Sequence, residues 1–293
     1  MGAERIRAGV CGRWGGRIPA RNGGHSFAKM QVLIPARGSL HNSGMGRIIL
    51  FVWMMAVAAL AAEPGRMPGL PSTTPETQDR DRATYDWKKR HAEVLARHET
   101  VKPDVVFFGD SIIHYWGGEP KAPLVWGPKS WSDCFAGMKV SNLGFGWDRT
   151  ENVLWRIDHG ELDVIKPKVI IIKIGTNNTG VNQPPGEIAS GIEAVCAAAH
   201  ARQPEAKVLL LGILPRKDES ETRPSVTEQV NGILAEHLKD VTWLTFRDFG
   251  GLFREPSKGK PDARLFSDGV HINATGYEIL ARNVRAELLL LMR

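Results

Sequence analysis

Five short apolar runs between residues 104 and 245 limit what this chain can fold into. They fall at 104–108, 139–142, 168–174, 207–213 and 241–245, the second being the weakest. Val, Ile, Leu and Phe follow one another in the stronger runs without polar alternation. A strand of that kind must be covered on both faces, as in a parallel sheet. Helical patterns separate the runs. Residues 85–98 read as a charged amphipathic helix, and Ile188, Ile192, Val195 and Ala199 recur at helical spacing. Ser225 and Glu228 form a capping box ahead of Val230, Ile233, Leu234 and Leu238. Ile279, Leu280, Val284, Leu288 and Leu291 mark a last helix. Strands alternating with helices predict βαβ units with right-handed crossovers. The expected fold class is α/β: a three-layer, doubly wound parallel sheet of about five strands, flavodoxin-like. Sites in such sheets lie beyond the carboxyl ends of the strands.

The front of the chain reads as an address. Residues 1–61 hold eight Lys/Arg and one acid, Glu4, so they contribute +7 of the net +6 and the remainder is −1. The basic balance therefore does not mark a nucleic-acid surface on the folded part, and no nucleic-acid partner is expected. Met45-Gly46-Arg47 precedes an uncharged apolar run from Ile48 to Leu60, and Ala59-Leu60-Ala61 ends it. A short basic region, an apolar stretch and small residues read as a secretory signal peptide. The run is short for a membrane span, although an uncleaved anchor is the alternative. The signal reads best with synthesis starting at Met45. The expected organisation is a leader over 1–61, a Pro- and Thr-rich linker over 62–80 and one folded domain over 81–293, secreted or periplasmic. Cys134 and Cys196 have no motif spacing, which leaves their pairing open, and no zinc pattern or other metal site is read.

Four features stand at the ends of these runs. Phe108-Gly109-Asp110-Ser111 ends the first run where a helix should begin. Gly109 permits a tight corner, and the helix N-terminus there favours developing negative charge. A serine hydroxyl is a poor nucleophile without a base. Asp268 and His271, three apart on one loop before the last helix, supply a carboxylate to orient an imidazole that can face Ser111. Gly144, after the second run, can offer a backbone N–H to an oxyanion, and Asn177, after the third, a side-chain amide. Each alone is also an ordinary turn residue. Asp148 and Arg149 can pair to brace the second loop. His114 reads as structural or solvent-facing. Lys173, inside the third run, has no evident purpose.

The order Ser, Gly, Asn, Asp-x-x-His over roughly residue 87 to the C-terminus resembles the SGNH/GDSL hydrolase family. The blocks are Val105-Val-Phe-Phe-Gly-Asp-Ser111, Asn142-Leu-Gly-Phe-Gly-Trp-Asp-Arg-Thr150, Ile174-Gly-Thr-Asn-Asn178 and Asp268-Gly-Val-His271. Asn152-Val-Leu-Trp-Arg-Ile and Arg202-Gln-Pro-Glu-Ala-Lys207 are similar to its platelet-activating factor acetylhydrolase branch. The resemblance implies hydrolysis of short acyl esters without metal or other cofactor. It casts Ser111 as nucleophile, Asp268 and His271 as triad partners, and the Ser111 N–H, Gly144 and Asn177 as oxyanion donors. Trp147 stands where that branch has Gly, which makes it a candidate substrate contact and alters the acyl site. With the export signal, Trp147 directs the expectation toward acetyl esters of carbohydrate. A lipid esterase is the alternative with the same chemistry. A non-catalytic sugar-binding domain is the alternative of another class, against which the complete triad argues.

Overall fold

The computed structural model describes residues 71–217, 224–256 and 259–293. The expected signal segment and the first part of the expected linker lie outside the described residues. Val105–Gly109 (β1) pairs with Val140–Gly144 (β2) on one side and Val169–Lys173 (β3) on the other. Lys207–Leu211 (β4) and Leu244–Arg247 (β5) extend the sheet, giving the all-parallel order β2-β1-β3-β4-β5. This is the doubly wound α/β sheet expected from the apolar runs, with its order reversing at β1.

The helices are Trp87–Thr100 (α1), Ser111–His114 (α2), Pro128–Cys134 (α3), Thr150–Asp158 (α4), Thr176–Thr179 (α5), Pro185–Arg202 (α6), Val226–His237 (α7) and Ala274–Leu291 (α8). Side chains alternate across a strand, so each continuous run feeds two cores. Val106, Phe108, Ile170, Ile172, Val208 and Leu210 pack with α1, α4, α6 and α7. Val105, Phe107, Val169, Ile171, Leu209 and Leu211 pack with α3 and α8. Cys196 belongs to the first core and Cys134 to the second, and both are free thiols. The sheet stands between them, which settles their pairing.

Local chemistry sets the element ends. Asp86 accepts from the Lys89 N–H at 2.9 Å, so α1 starts at Trp87 rather than residue 85. Ser225 and Glu228 make their reciprocal capping box ahead of α7. Asn273 caps α8 by accepting from the Gly276 N–H at 3.1 Å. Among the described residues no helix is long and apolar enough to cross a membrane.

Residues 71–80 are not the solvated linker that their composition suggests. Ser72 and Thr73 are buried. Ser72 Oγ donates to Glu187 O at 2.8 Å, and its own carbonyl accepts from Thr150 Oγ1 at 2.8 Å. A Cβ on Gly191 would lie 2.8 Å from that carbonyl, so α6 and the segment touch backbone to backbone. The domain therefore begins before residue 81. Pro and Thr mark a segment without ladder partners, but they do not say whether its polar groups bond to water or to the fold.

Candidate active site

Ser111 stands at the corner where β1 becomes α2. A Cβ on Gly109 would fall 2.3 Å from Ile113 Cγ1, so this tight corner requires glycine. Asp110 caps the helix, its Oδ1 accepting from the Ile112 N–H at 3.0 Å. From α8, Tyr277 donates its hydroxyl to Ile112 O at 2.7 Å and fixes the corner from the other side. Ser111 is the first residue of α2, so its own N–H has no intrahelical acceptor.

The loop before α8 brings up the partners. Ser111 Oγ and His271 Nε2 are 2.8 Å apart, and His271 Nδ1 lies 2.7 Å from Asp268 Oδ2. The second oxygen of Asp268 accepts the backbone N–H groups of Val270 at 2.9 Å and His271 at 2.8 Å. Partial burial pushes the Asp268 carboxyl up, but the hydrogen bonds of His271 and Val270 outweigh it and hold the group below its ordinary value. An ionised Asp268 keeps the Nδ1 proton on the side away from Ser111, which leaves Nε2 as an acceptor. Trp126 packs edge-on against the imidazole with ring centroids 5.0 Å apart. The ring is therefore fixed by a carboxylate and an aromatic wall together. Asp-x-x-His works at this spacing because the two backbone bonds to Asp268 fold the four residues into one turn.

The loop after β2 departs from expectation. The Gly144 N–H donates to Asn142 Oδ1 at 2.8 Å, so it is already committed. Glycine is needed there for another reason: a Cβ would fall 2.2 Å from the His114 N, where α2 crosses β2. The Gly146 N–H donates to His114 Nδ1 at 3.1 Å. Burial, helped by the Arg90 and Arg156 charges, drives the His114 pKa far down, so this fully buried ring is neutral and structural. The Trp147 N–H, by contrast, has no acceptor among the described residues. Trp147 has a φ of 63° and is 51% exposed. A bulky residue in the left-handed region is strained by about 1–3 kcal/mol and persists only where its surroundings enforce it.

The enforcement comes largely from the segment read as linker. Arg80 donates to Trp147 O at 3.1 Å and also bonds Asn152 Oδ1. Gln78 and Tyr85 donate to Gly146 O at 3.0 and 2.8 Å. Gln78 and Trp87 donate to Asp148 Oδ1 at 3.0 and 2.7 Å. The other oxygen of Asp148 takes Arg156 Nε at 2.9 Å, and Arg156 continues to Glu161 at 2.5 Å. Asp148 thus pairs with Arg156 and not with Arg149, which lies 3.7 Å from Glu151. Burial pushes the Asp148 carboxyl up to about 6, against the pull of Arg156, Trp87 and Gln78.

Asn177 lies on α5 just past β3. Its Nδ2 donates one hydrogen to Asp148 O at 2.9 Å, which ties α5 to the Trp147 loop. A primary amide has two N–H donors, so the other is available. The structure therefore joins Ser111, His271 and Asp268 directly, carries Asn177 and Trp147 on adjoining loops, and gives Gly144 a packing task. The sequence gives Gln78 and Arg80 no role at the site, and Trp126 reads as core packing. None carries a motif, because each acts on a loop far from it in sequence.

This arrangement resembles known proteins. The model of the GDSL-like Lipase/Acylhydrolase family matches residues 107–279. Platelet-activating factor acetylhydrolase IB subunit alpha2 of Rattus norvegicus is 32% identical over 208 residues, covering 71% of this chain and 84% of the relative. The human alpha1 subunit is 31% identical over 206 residues, covering 70% and 84%. A GDSL-like lipase from Bacteroides thetaiotaomicron superposes with a TM-score of 0.54 at 18% identity, covering 69% of this chain and 97% of its own; that likeness concerns the fold.

Proposed function

This chain belongs to the GDSL-like lipase/acylhydrolase family of ester-hydrolysing enzymes, and we propose that it is an exported serine esterase removing acetyl or other short acyl groups from a carbohydrate. The observation that carries the chemistry is the unbroken relay from Asp268 through His271 to Ser111. Ser111 Oγ attacks the ester carbonyl while His271 Nε2 takes its proton. Asp268 stabilises the resulting imidazolium. The tetrahedral oxyanion rests on the Ser111 N–H, the free Asn177 amide hydrogen and the Trp147 N–H, which replaces the expected Gly144 donor. His271 then gives its proton to the departing alcohol. Water enters, His271 activates it in the same way, and the acyl group leaves Ser111 as a carboxylic acid.

Asn177→Ala is expected to lower kcat on p-nitrophenyl acetate by about 10²–10³-fold with little change in KM, since an oxyanion donor acts only in the transition state. Steady-state kinetics at pH 7 would check this, and a change confined to KM would remove Asn177 from the role.

The carbohydrate part of the reading is supported by the exposed Trp147 ring beside the site and by the Met45–Ala61 export pattern. Trp147→Gly keeps a backbone N–H at this position. It should leave turnover of p-nitrophenyl acetate within about threefold yet raise KM for an acetylated sugar about tenfold, the worth of one stacking face. A second reading, a lipid acetyl esterase, is favoured by the 32% identity to the acetylhydrolase subunit. A panel of acetylated xylan, acetylated sialic acid and acetylated phospholipid separates the two. Preference for the phospholipid would overturn the carbohydrate assignment while leaving the esterase chemistry in place.

A further inference from the structure

We propose that Lys173, the residue without evident purpose in the sequence, is a positioning residue that fixes the separation of two oxyanion donors by holding the residue that precedes each. The inference rests on the esterase reading above. Lys173 ends β3 and is 1% exposed. Its Nζ donates to Asp110 Oδ2 at 3.2 Å and to Thr176 Oγ1 at 2.8 Å. Asp110 is bonded covalently to Ser111, and Thr176 to Asn177. One ammonium therefore ties the corner that carries the Ser111 N–H to the corner that carries the Asn177 amide.

The strands make this bridge short. Gly109 and Lys173 are register partners, so β1 and β3 end side by side. The other oxygen of Asp110 is occupied capping α2, which makes the carboxylate a rigid link into the nucleophile helix. On the far side of Thr176, Arg216 donates to its carbonyl at 3.0 Å and to Thr179 Oγ1 at 3.3 Å. The short helix α5 is thereby held from two directions, with Asn177 between.

Stability alone does not ask for a lysine here. An ammonium buried under a sheet covered on both faces loses its hydration, and a buried pair commonly does no better than an apolar side chain of similar volume. Burial lowers the Lys173 pKa, with Asp110 opposing it. What the pair supplies is a fixed length between two loops whose donors must meet one oxygen, and donors displaced by a fraction of an ångström lose much of their effect.

The test uses the Thr176 hydroxyl, because Thr176→Val keeps the side-chain shape and the Lys173–Asp110 pair. With p-nitrophenyl acetate, Thr176→Val should lower kcat about tenfold with KM within about twofold, and Thr176→Ser should restore kcat to within about twofold. Lys173→Met should lose about 10²-fold in kcat with the same indifference of KM. If Lys173→Met does not fold, the Val and Ser pair decides the matter. Wild-type kcat in Thr176→Val, an equal loss in Thr176→Ser, or a loss expressed in KM would each overturn the proposal. Ser111→Ala is assayed alongside: turnover that it leaves intact sinks the esterase reading itself, whereas Ser111-dependent turnover with an indifferent Thr176→Val sinks only the positioning role.

Discussion

Ser111→Ala is expected to lower kcat for p-nitrophenyl acetate by about 10⁴-fold or more, the largest effect of any single change in this protein. The reason is that nothing else in the relay can attack. His271 Nε2 has the Ser111 hydroxyl as its partner at 2.8 Å, and without it the imidazole can at best activate water. The substitution keeps the Ser111 backbone N–H and the Asp110 cap, so the corner and the oxyanion donors remain. Folding stability should change by no more than about 0.5–1 kcal/mol. Stopped assays of initial rate together with a melting curve separate lost chemistry from lost fold. A variant that melts normally and still turns over at the wild-type rate would contradict the mechanism.

Asp268→Asn is expected to be nearly as severe, lowering kcat about 10⁴-fold at pH 7. An amide at this position can turn its NH₂ toward His271 Nδ1 and select the tautomer that places a proton on Nε2. The ring then meets Ser111 as a donor and cannot take its proton. KM should change little, because Asp268 faces the imidazole and not the substrate. A second consequence concerns stability. Since Asp268 is held below its ordinary value in the folded protein, its ionised form stabilises the fold above the unfolded carboxylate value of about 3.9. That contribution is lost as pH falls through the lower, folded value. The gap in melting temperature between wild type and Asp268→Asn should therefore be present at pH 6 and shrink as the pH falls below the unfolded value of about 3.9. A gap that widened on acidification would have the wrong sign.

The parts of this molecule legible in the sequence are those where chemistry depends on residue type. The strands were visible because a sheet covered on both faces needs unbroken apolar runs, and the relay because Ser111, Asp268 and His271 sit in compact punctuated motifs. The loop after β2 was not legible in the same way. Gly144 invited an oxyanion role because glycine allows close approach, but the approach it allows is that of α2, and the free N–H falls at the strained Trp147. Strain of that kind comes from the surroundings, here Gln78 and Arg80 gripping the loop from a segment whose composition resembles a linker, and Tyr85 from just ahead of α1. Arg149 invited pairing with its neighbour Asp148, whereas helix α4 brings Arg156 there instead. Lys173 was opaque because Asp110, 63 residues away, is brought beside it only by the register of β1 and β3, while Thr176, three residues on, is an ordinary turn residue by itself.

In the proposed mechanism Ser111 carries the acyl group. Incubating the protein with diisopropyl fluorophosphate and mapping the adduct by peptide mass spectrometry tests it most directly. One phosphoryl adduct is expected, on the peptide containing Ser111, gained in step with the loss of p-nitrophenyl acetate hydrolysis and absent from Ser111→Ala. Labelling of another residue that tracks the loss of activity, or full activity in protein labelled at Ser111, would contradict it.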